Sequence, residues 1–293
     1  MKNIKGILLS IIFNIGFTTM SSAQYTDFGI GLGTTTYWGD LNKPGFFDNY
    51  FGNSGIGIQA HYRVMSGNRL GIKGSFIYGS FKGKDAGSSL DWQKLRNLSF
   101  RSYLAELSVM GELYILPFNT EPGSFFIAPY LTAGISTFWF DPKTRFENID
   151  VRLQPLGTEG QGMPGRPEKY SLNSFAIPFG GGLKWTINPS FNIGMELVVR
   201  RSFTDYIDDL STTYVTYDDL SAANGTLAAK LANRMNEYLG QSDPVILPTG
   251  TQRGGADVTD YYIVAMITAN WTITDSNGKR RLGGNKITCP TFK

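Results

Sequence analysis

Apolar and polar residues alternate with a period of two through most of the chain after residue 25. In the longest run, Tyr261–Ile273, one face is apolar throughout and consists of Tyr261, Ile263, Ala265, Ile267, Ala269, Trp271 and Ile273. Side chains of a strand point alternately to its two faces, and the second face of this run becomes polar. A continuous apolar face with aromatic residues near both ends suits a lipid-facing strand. The pattern predicts the strand that closes a membrane barrel against the first strand.

The same alternation predicts six earlier strands, whose apolar faces begin at Phe28, Ile56, Leu70, Tyr103, Phe175 and Phe191, and a seventh strand near Phe125–Phe140. This last strand is apolar on both faces, so the pattern leaves its register open. Tight turns such as Ser66–Asn68 and Asn188–Ser190 alternate with long connections, of which Thr204–Asp260 is the longest. Short periplasmic turns and long external loops are typical of outer-membrane barrels. A soluble β-sandwich also alternates apolar and polar residues, but it does not require this order of loop lengths.

The predicted fold class is therefore all-β: a transmembrane antiparallel up-and-down barrel of about eight strands. Its long loops would be extracellular, one of them with a helix at Leu220–Leu239, and its short turns periplasmic. An even number of strands places both termini on the periplasmic side of the bacterial outer membrane.

The chain divides into three segments. Residues 1–23 predict a signal peptide, because Lys2 and Lys5 precede an apolar stretch and Ser21–Ala23 offers a small-residue cleavage site. Residues 24–274 predict the barrel with its loops, and residues 275–293 predict a basic periplasmic tail. The formal charge of +3 is too small to indicate nucleic acid as a partner.

Polar and charged residues on the predicted inner faces are expected to fill the lumen. They are His61, Arg63, Lys73, Glu106, Glu112, Lys184, Glu196 and Arg200. Such charges could form a proton path or a pore, but the interior of an eight-stranded barrel is just filled by side chains. We therefore expect a paired, hydrogen-bonded network and no transport of a large molecule.

The sequence gives little indication of a catalytic or metal site. His61 is the only histidine and has no serine motif beside it, which favours a hydrogen-bonding role over hydrolysis. An acidic cluster opens the last loop with Asp205, Asp208, Asp209, Asp218 and Asp219, but its spacing matches no calcium-binding loop, which favours loop capping. The sequence predicts a protein that is not an enzyme and has no cofactor, metal or small-molecule substrate.

The predicted tail contains the residues that are best suited to binding a partner. Lys279, Arg280, Arg281 and Lys286 give it positive charge, and Cys289 is the only cysteine of the chain. A basic tail near anionic lipid is one interpretation. The other is a docking segment in which Cys289 forms an intermolecular disulfide in an oxidising compartment.

Several segments resemble the PorG family of outer-membrane barrels from the type IX secretion system of Bacteroidetes-type bacteria. The similar segments are Tyr37–Leu41, Arg96–Phe100, Leu153–Gly162, Ile177–Gly180, Phe203–Ser211 and Cys289-Pro290. The resemblance covers nearly all of the chain after the signal peptide, in order. It implies a non-enzymatic role in which the barrel ties a periplasmic ring of PorK and PorN to the outer membrane. On this hypothesis the short turns and the tail form the contact surface, with Cys289 bonded to the ring lipoprotein.

Two other functions follow from the same residues. The barrel could bind a surface ligand or another cell through its external loops, in which case Thr204–Asp260 would be essential and the tail dispensable. A barrel enzyme acting on lipid or peptide would instead depend on His61 or the loop aspartates.

Overall fold

The computed structural model describes residues 23–118, 127–255 and 259–273. Eight long strands form the barrel: β1 (Ala23–Trp38), β2 (Ser54–Ser66), β3 (Leu70–Lys84), β4 (Ser99–Tyr114), β5 (Ile127–Phe140), β8 (Asn173–Asn188), β9 (Phe191–Ser202) and β10 (Tyr261–Thr272). Two short strands, β6 (Lys143–Phe146) and β7 (Ile149–Arg152), form a hairpin beyond β4 and β5.

The barrel is closed and antiparallel. Each long strand pairs with its neighbours in the chain, and β10 pairs with β1 along the whole ladder, for example at Leu32 and Ile267. Closure leaves no unpaired sheet edge, which a membrane-spanning sheet requires. The predicted eight-stranded up-and-down barrel, with β10 closing against β1, is confirmed.

Alternation along each strand separates an apolar wall from a polar interior. On β10 the outward Ile267 is 59% exposed, whereas Met266 and Thr268 beside it are 2% exposed. Aromatic residues lie on the outer wall near both ends, Phe28, Phe191 and Trp271 at the short-turn end and Tyr78, Tyr103 and Trp139 nearer the long connections. Such belts are typical of barrels that cross a bilayer.

The long connections contain more regular structure than the single helix that we predicted. Helix α1 (Phe46–Asn53) follows β1, α2 (Asp91–Arg96) follows β3, and α3 (Tyr217–Asn224), α4 (Thr226–Ala232) and α5 (Met235–Leu239) lie between β9 and β10. The prediction of one continuous helix at Leu220–Leu239 was wrong. Gly225, at φ +96°, separates α3 from α4, and Asn233 leaves the helical region after α4.

These connections fold together as a cap over the long-loop end of the barrel. A buried apolar cluster joins the two parts, with Tyr37 and Phe81 from the strands and Leu41, Ile207 and Leu210 from the connections. A second cluster, Val215, Leu220, Ala228, Ala229 and Ala232, lies within the cap itself. Within the described residues, none of the helices is both long enough and apolar enough to span a membrane.

Candidate functional site in the lumen and the cap

Arg63 lies at the centre of the charged layer inside the barrel. Its guanidinium donates to Glu112 twice, from Nε to Oε2 at 2.7 Å and from Nη2 to Oε1 at 3.1 Å, and to Asp27 Oδ1 at 3.0 Å. All three side chains are at most 2% exposed. A planar guanidinium between two carboxylates can satisfy both through its fixed fork of donors.

Two lysines complete this layer. Lys73 donates to Glu196, and its Nζ also lies 3.5 Å from Glu112 Oε1. Lys184 donates to Asp27, and the hydroxyl of Tyr130 donates to Glu196 at 2.5 Å. Three cations, Arg63, Lys73 and Lys184, thus meet three carboxylates, Asp27, Glu112 and Glu196.

A separate charged pair lies closer to the cap. Arg200 donates to Glu106 from Nε at 3.2 Å and from Nη2 at 3.4 Å, and Tyr262 donates to the same carboxylate at 2.7 Å. Arg200 also donates to the carbonyl of Val198 at 2.8 Å. This pair is buried and internally hydrogen-bonded, as burial of charge requires.

Apolar side chains cover the charged layer on both sides. Toward the short turns, Met65, Tyr114, Phe118, Ala128 and Tyr130 pack as a cluster, and Lys184 Nζ lies 4.6 Å from the centre of the Phe118 ring. Toward the cap, Phe81 and Phe138 pack around Tyr262. The described part of the lumen is therefore filled by side chains, with its charges neutralised in the middle.

His61 has hydrogen-bonding neighbours on both ring nitrogens. Nε2 lies 2.7 Å from Asn270 Oδ1, which can only accept, and Nδ1 lies 3.3 Å from Gln59 Nε2, which can only donate. These partners fix the tautomer with the proton on Nε2. The geometry holds a neutral interior histidine and supplies neither the nucleophile nor the orienting acid of a hydrolase.

The structure places all eight predicted lumen residues inside the barrel. Five of them belong to the charged layer around Arg63, and Glu106 and Arg200 form the separate pair. His61 lies beside the layer. The sequence analysis missed Asp27, although this residue occupies the same face of β1 as Gly29. It also missed Tyr130, because the register of β5 was ambiguous from its sequence. Both residues complete hydrogen bonds that the predicted eight could not make among themselves.

Buried ion pairs also hold the cap together. Arg96 on α2 binds both oxygens of Asp85, at 2.8 and 2.9 Å, and donates to the carbonyl of Arg253 at 2.8 Å. Arg253 in turn donates to Glu159 Oε1 at 3.0 Å. Glu159 accepts from the amide of Ser211 at 3.0 Å, which links three long connections through one chain of contacts.

Carboxylates gather where the cap meets β1. The hydroxyl of Tyr37 donates to Asp208 Oδ2 at 2.5 Å and lies 3.3 Å from Asp260 Oδ1. Burial raises the pKa of Asp208 well above its usual value, and the nearby Asp40 raises it further. Burial and the neighbouring Asp208 do the same to the pKa of Asp260. Two buried carboxyl groups so close to each other favour a state with at least one proton between them.

Two further aspartates of the predicted acidic cluster have raised pKa values. Burial raises the pKa of Asp205 to about 7, although Ser211 counteracts this with a hydrogen bond. Burial also raises the pKa of Asp209 to about 6, although Arg253 beside it acts in the opposite direction. The loop-capping prediction described one continuous cluster, whereas Asp218 and Asp219 lie apart from it, exposed on α3.

No group of three or more histidine, cysteine, aspartate or glutamate side chains suited to a metal ion occurs within residues 23–118, 127–255 and 259–273. The predicted signal peptide up to residue 22, the docking candidates Lys279, Arg280, Arg281 and Lys286, and Cys289 lie outside the described residues.

The sequence matches a family described as a domain of unknown function, DUF6089, over residues 6–227. This match spans most of the chain. The chain belongs to this family. No curated protein matches the sequence.

Solved barrels of other bacteria are similar in outline. Ail, the attachment invasion locus protein of Yersinia pestis, solved in complex with the heparin analogue sucrose octasulfate, is 10% identical with a TM-score of 0.40, over 85% of this chain and 98% of Ail. The outer membrane protein OprG from Pseudomonas aeruginosa is 11% identical with a TM-score of 0.38, over 86% and 98%. Neisserial surface protein A is 6% identical with a TM-score of 0.39, over 84% and 96%. Similarity at this level says nothing about ligands or partners.

Proposed function

We propose that this member of the DUF6089 family is a non-enzymatic outer-membrane barrel that anchors a periplasmic assembly of the type IX secretion machinery. The observation that carries the proposal is the contrast between the two surfaces of the wall. The outer surface is apolar with an aromatic belt near each end, which suits a bilayer. The inner surface is filled by neutralised charges, which suits a rigid anchor better than a conduit.

The partner side of the proposal rests on the sequence. The short turns between β2 and β3 and between β8 and β9 would face the periplasm together with both termini, as in other barrels of this size. The segment Asp275–Lys293 would then dock onto a ring of PorK and PorN through its basic residues, and Cys289 would bond the ring lipoprotein. The resemblance to the PorG family and the basic, cysteine-bearing composition of this segment support this assignment.

A non-reducing gel of outer membranes tests the covalent attachment. We expect a band of higher mass that collapses on reduction and is missing from a Cys289→Ser variant. Mass spectrometry of the band should identify a ring lipoprotein. The matched control is Ser171→Cys in the Cys289→Ser background. Ser171 is exposed in a long connection, so its cysteine variant should not acquire the same partner.

Deletion of Asp275–Lys293 tests docking without relying on the disulfide. The barrel should still fold, because the ladder from β1 to β10 does not include the deleted segment, but the ring should no longer sediment with the outer membrane. Secretion and ring attachment that both survive the deletion would contradict the proposal.

A second function has one structural observation in its favour. The cap is folded and contains an open cavity of about 430 Å³, whose lining includes Trp92, Arg96, Tyr214 and Arg253. The lining is largely aromatic and apolar, because both arginines are already paired with carboxylates, and it could hold an external ligand or an adhesion partner. Surface polysaccharide binding that is lost in Trp92→Ala, but kept after deletion of the tail, would favour this function over the anchor.

A further inference from the structure

Helix α1 presents three phenylalanines outward at the rim of the barrel. Phe46 is 50% exposed, Phe47 71% and Phe51 75%. Phe47 and Phe51 are four residues apart and therefore share one face of the helix. The exposed rings of Phe47 and Phe51 would be unfavourable in water, because most of their apolar surface would remain hydrated.

The helix is fixed in place by its other faces. Asn49 and Asn53 are buried and donate to the carbonyls of Tyr37 and Leu41, at 3.4 and 3.1 Å. Asn53 also donates to Asn49 Oδ1 at 2.7 Å. The outward direction of Phe47 and Phe51 is therefore set by a buried hydrogen-bonded face and is not a matter of chance side-chain placement.

The side of α1 next to Phe47 and Phe51 packs on the outer wall of β1. The hydroxyl of Tyr50 lies 2.6 Å from Thr34 Oγ1, and the ring of Phe46 lies 5.5 Å from that of Trp38. Thr34 and Trp38 occupy the outward positions of β1, in line with Leu32. The helix consequently folds back along the wall rather than over the mouth of the barrel.

The aromatic face is continuous with the lipid-facing wall. Thr34 pairs with Ile56 on β2, and Leu32 pairs with Ile58, both of which are exposed on the outer surface. The remaining exposed side of the helix carries the charged residue Asp48. Apolar residues toward the wall and polar residues away from it are typical of a helix that lies in the plane of a membrane interface.

We propose that α1 is an interfacial helix whose phenylalanines insert into the lipid at the boundary between headgroups and acyl chains. The inference rests on the membrane location in the proposed function and is independent of any secretion partner. Its occupant is lipid, because the patch continues a surface that already faces lipid, and phenylalanine is typical of the buried face of interfacial helices. The helix would fix the height of the barrel in the membrane at the point where β1 ends and β2 begins.

Site-directed spin labelling of the full chain tests the inference. Single cysteines replace Phe47, Phe51, Asp48 or Ile135 in the Cys289→Ser background, and each labelled protein is placed in nanodiscs of phosphatidylcholine and phosphatidylglycerol. Collision rates with oxygen, which concentrates in lipid, and with a water-soluble nickel chelate are then compared. We expect labels at 47 and 51 to favour oxygen several-fold more than the label at 48, which lies on the same helix.

The label at Ile135, on the middle of the outer wall, distinguishes a failure of the interfacial-helix inference from a failure of the membrane location. If it contacts lipid while 47 and 51 are as accessible to nickel as 48, the interfacial helix is wrong and the membrane location stands. If Ile135 is also accessible to nickel, the membrane location fails. Labels at 47 and 51 that are shielded from both reagents would show a protein contact and would also overturn the inference. Heat-dependent gel mobility confirms that each variant has folded.

Discussion

Arg63 on β2 and Glu112 on β4 are joined inside the barrel by two parallel hydrogen bonds, Nε to Oε2 at 2.7 Å and Nη2 to Oε1 at 3.1 Å. The strand β3 lies between β2 and β4, so the pair spans three neighbouring strands. Both side chains are buried. Removal of either partner leaves a charge that water cannot reach, which makes this pair the most sensitive point of the lumen.

Glu112→Ala should lower the free energy of unfolding by about 3 kcal/mol, because Arg63 would lose one of its two hydrogen-bonded carboxylates and Lys73 would lose a nearby carboxylate. Urea titration of the protein in detergent micelles, followed by gel mobility of the folded barrel, measures this change. Arg63→Met combined with Glu112→Met should recover part of the loss, since no member of this pair then remains charged.

Arg152→Met is the matched control for the lumen pair. Arg152 binds Asp141 at 2.8 Å, but its side chain is half exposed. Water replaces the lost contact there, so the expected change is below about 1 kcal/mol. Equal effects of Glu112→Ala and Arg152→Met would show that the lumen pair does not behave as a buried one.

The filled lumen predicts no stepwise ion conduction. The charged layer around Arg63 lies between the apolar cluster at Phe118 and the aromatic residues at Tyr262, so an ion would have to displace packed side chains. Planar-bilayer recordings of the purified protein test this prediction, with a porin as the positive control. Regular conductance steps, at salt concentrations where the folded barrel is verified, would contradict it.

The cap should become less stable as pH rises from about 4 to 7. Asp205 and Asp209 have folded-state pKa values of about 7 and about 6, both above the ordinary value of 3.8. A carboxyl group whose pKa is raised by folding binds protons more tightly in the folded state, so its contribution is greatest at low pH and is lost as pH passes the folded pKa. Hydrogen exchange of the amides near Leu210, corrected for intrinsic rates, should therefore show faster opening at pH 8 than at pH 5.

Asp205→Asn should remove part of this pH dependence, because the asparagine keeps the shape of the side chain and cannot lose a proton. Asp218→Asn is the control on an exposed carboxyl group of α3, and it should leave the profile as it is. Identical profiles for the wild type and both variants would exclude Asp205 as a source of the effect.

Glycine on the inner wall of β1 is required by close packing. A Cβ at Gly33 would lie 1.9 Å from the carbonyl oxygen of Ala265, whereas a Cβ at Gly74 on the outer wall of β3 would meet nothing within 4 Å. Gly33→Ala should therefore destabilise the barrel by about 1–3 kcal/mol through overpacking, and Gly74→Ala should not. Refolding yield and urea midpoint distinguish the two variants, and equal values would contradict the packing argument.

The alternation of residues predicted the wall and the lumen correctly because each strand has a period of two. Once the outward face of β2 was assigned from Ile56 and Ile58, the inward position of Arg63 followed. Asp27 could have been found by the same rule applied one step earlier on β1. The partner of each lumen residue could not be predicted by this rule. The pairing of Arg63 with Glu112 depends on how the strands curve and on how far each side chain reaches into the lumen.

The cap was the part that sequence patterns predicted least. Asp85, Arg96, Glu159 and Arg253 come from three different connections, and their spacing along the chain carries no signal of contact. No helix was predicted at α1, because its buried face is made of Asn49 and Asn53 rather than of apolar residues. A helix that is held in place by hydrogen bonds rather than by hydrophobic contacts shows no apolar periodicity in its sequence.

The sequence by itself thus determined the closed barrel, its apolar wall and the identity of the charges inside it, because alternation in a strand assigns each residue to lipid or lumen. Tertiary structure alone decided that those charges neutralise one another, that the long connections fold into a cap with protonatable aspartates, and that α1 leaves Phe47 and Phe51 exposed beside the wall. These features arise from contacts between residues far apart in the chain, and local periodicity contains no information about such distances.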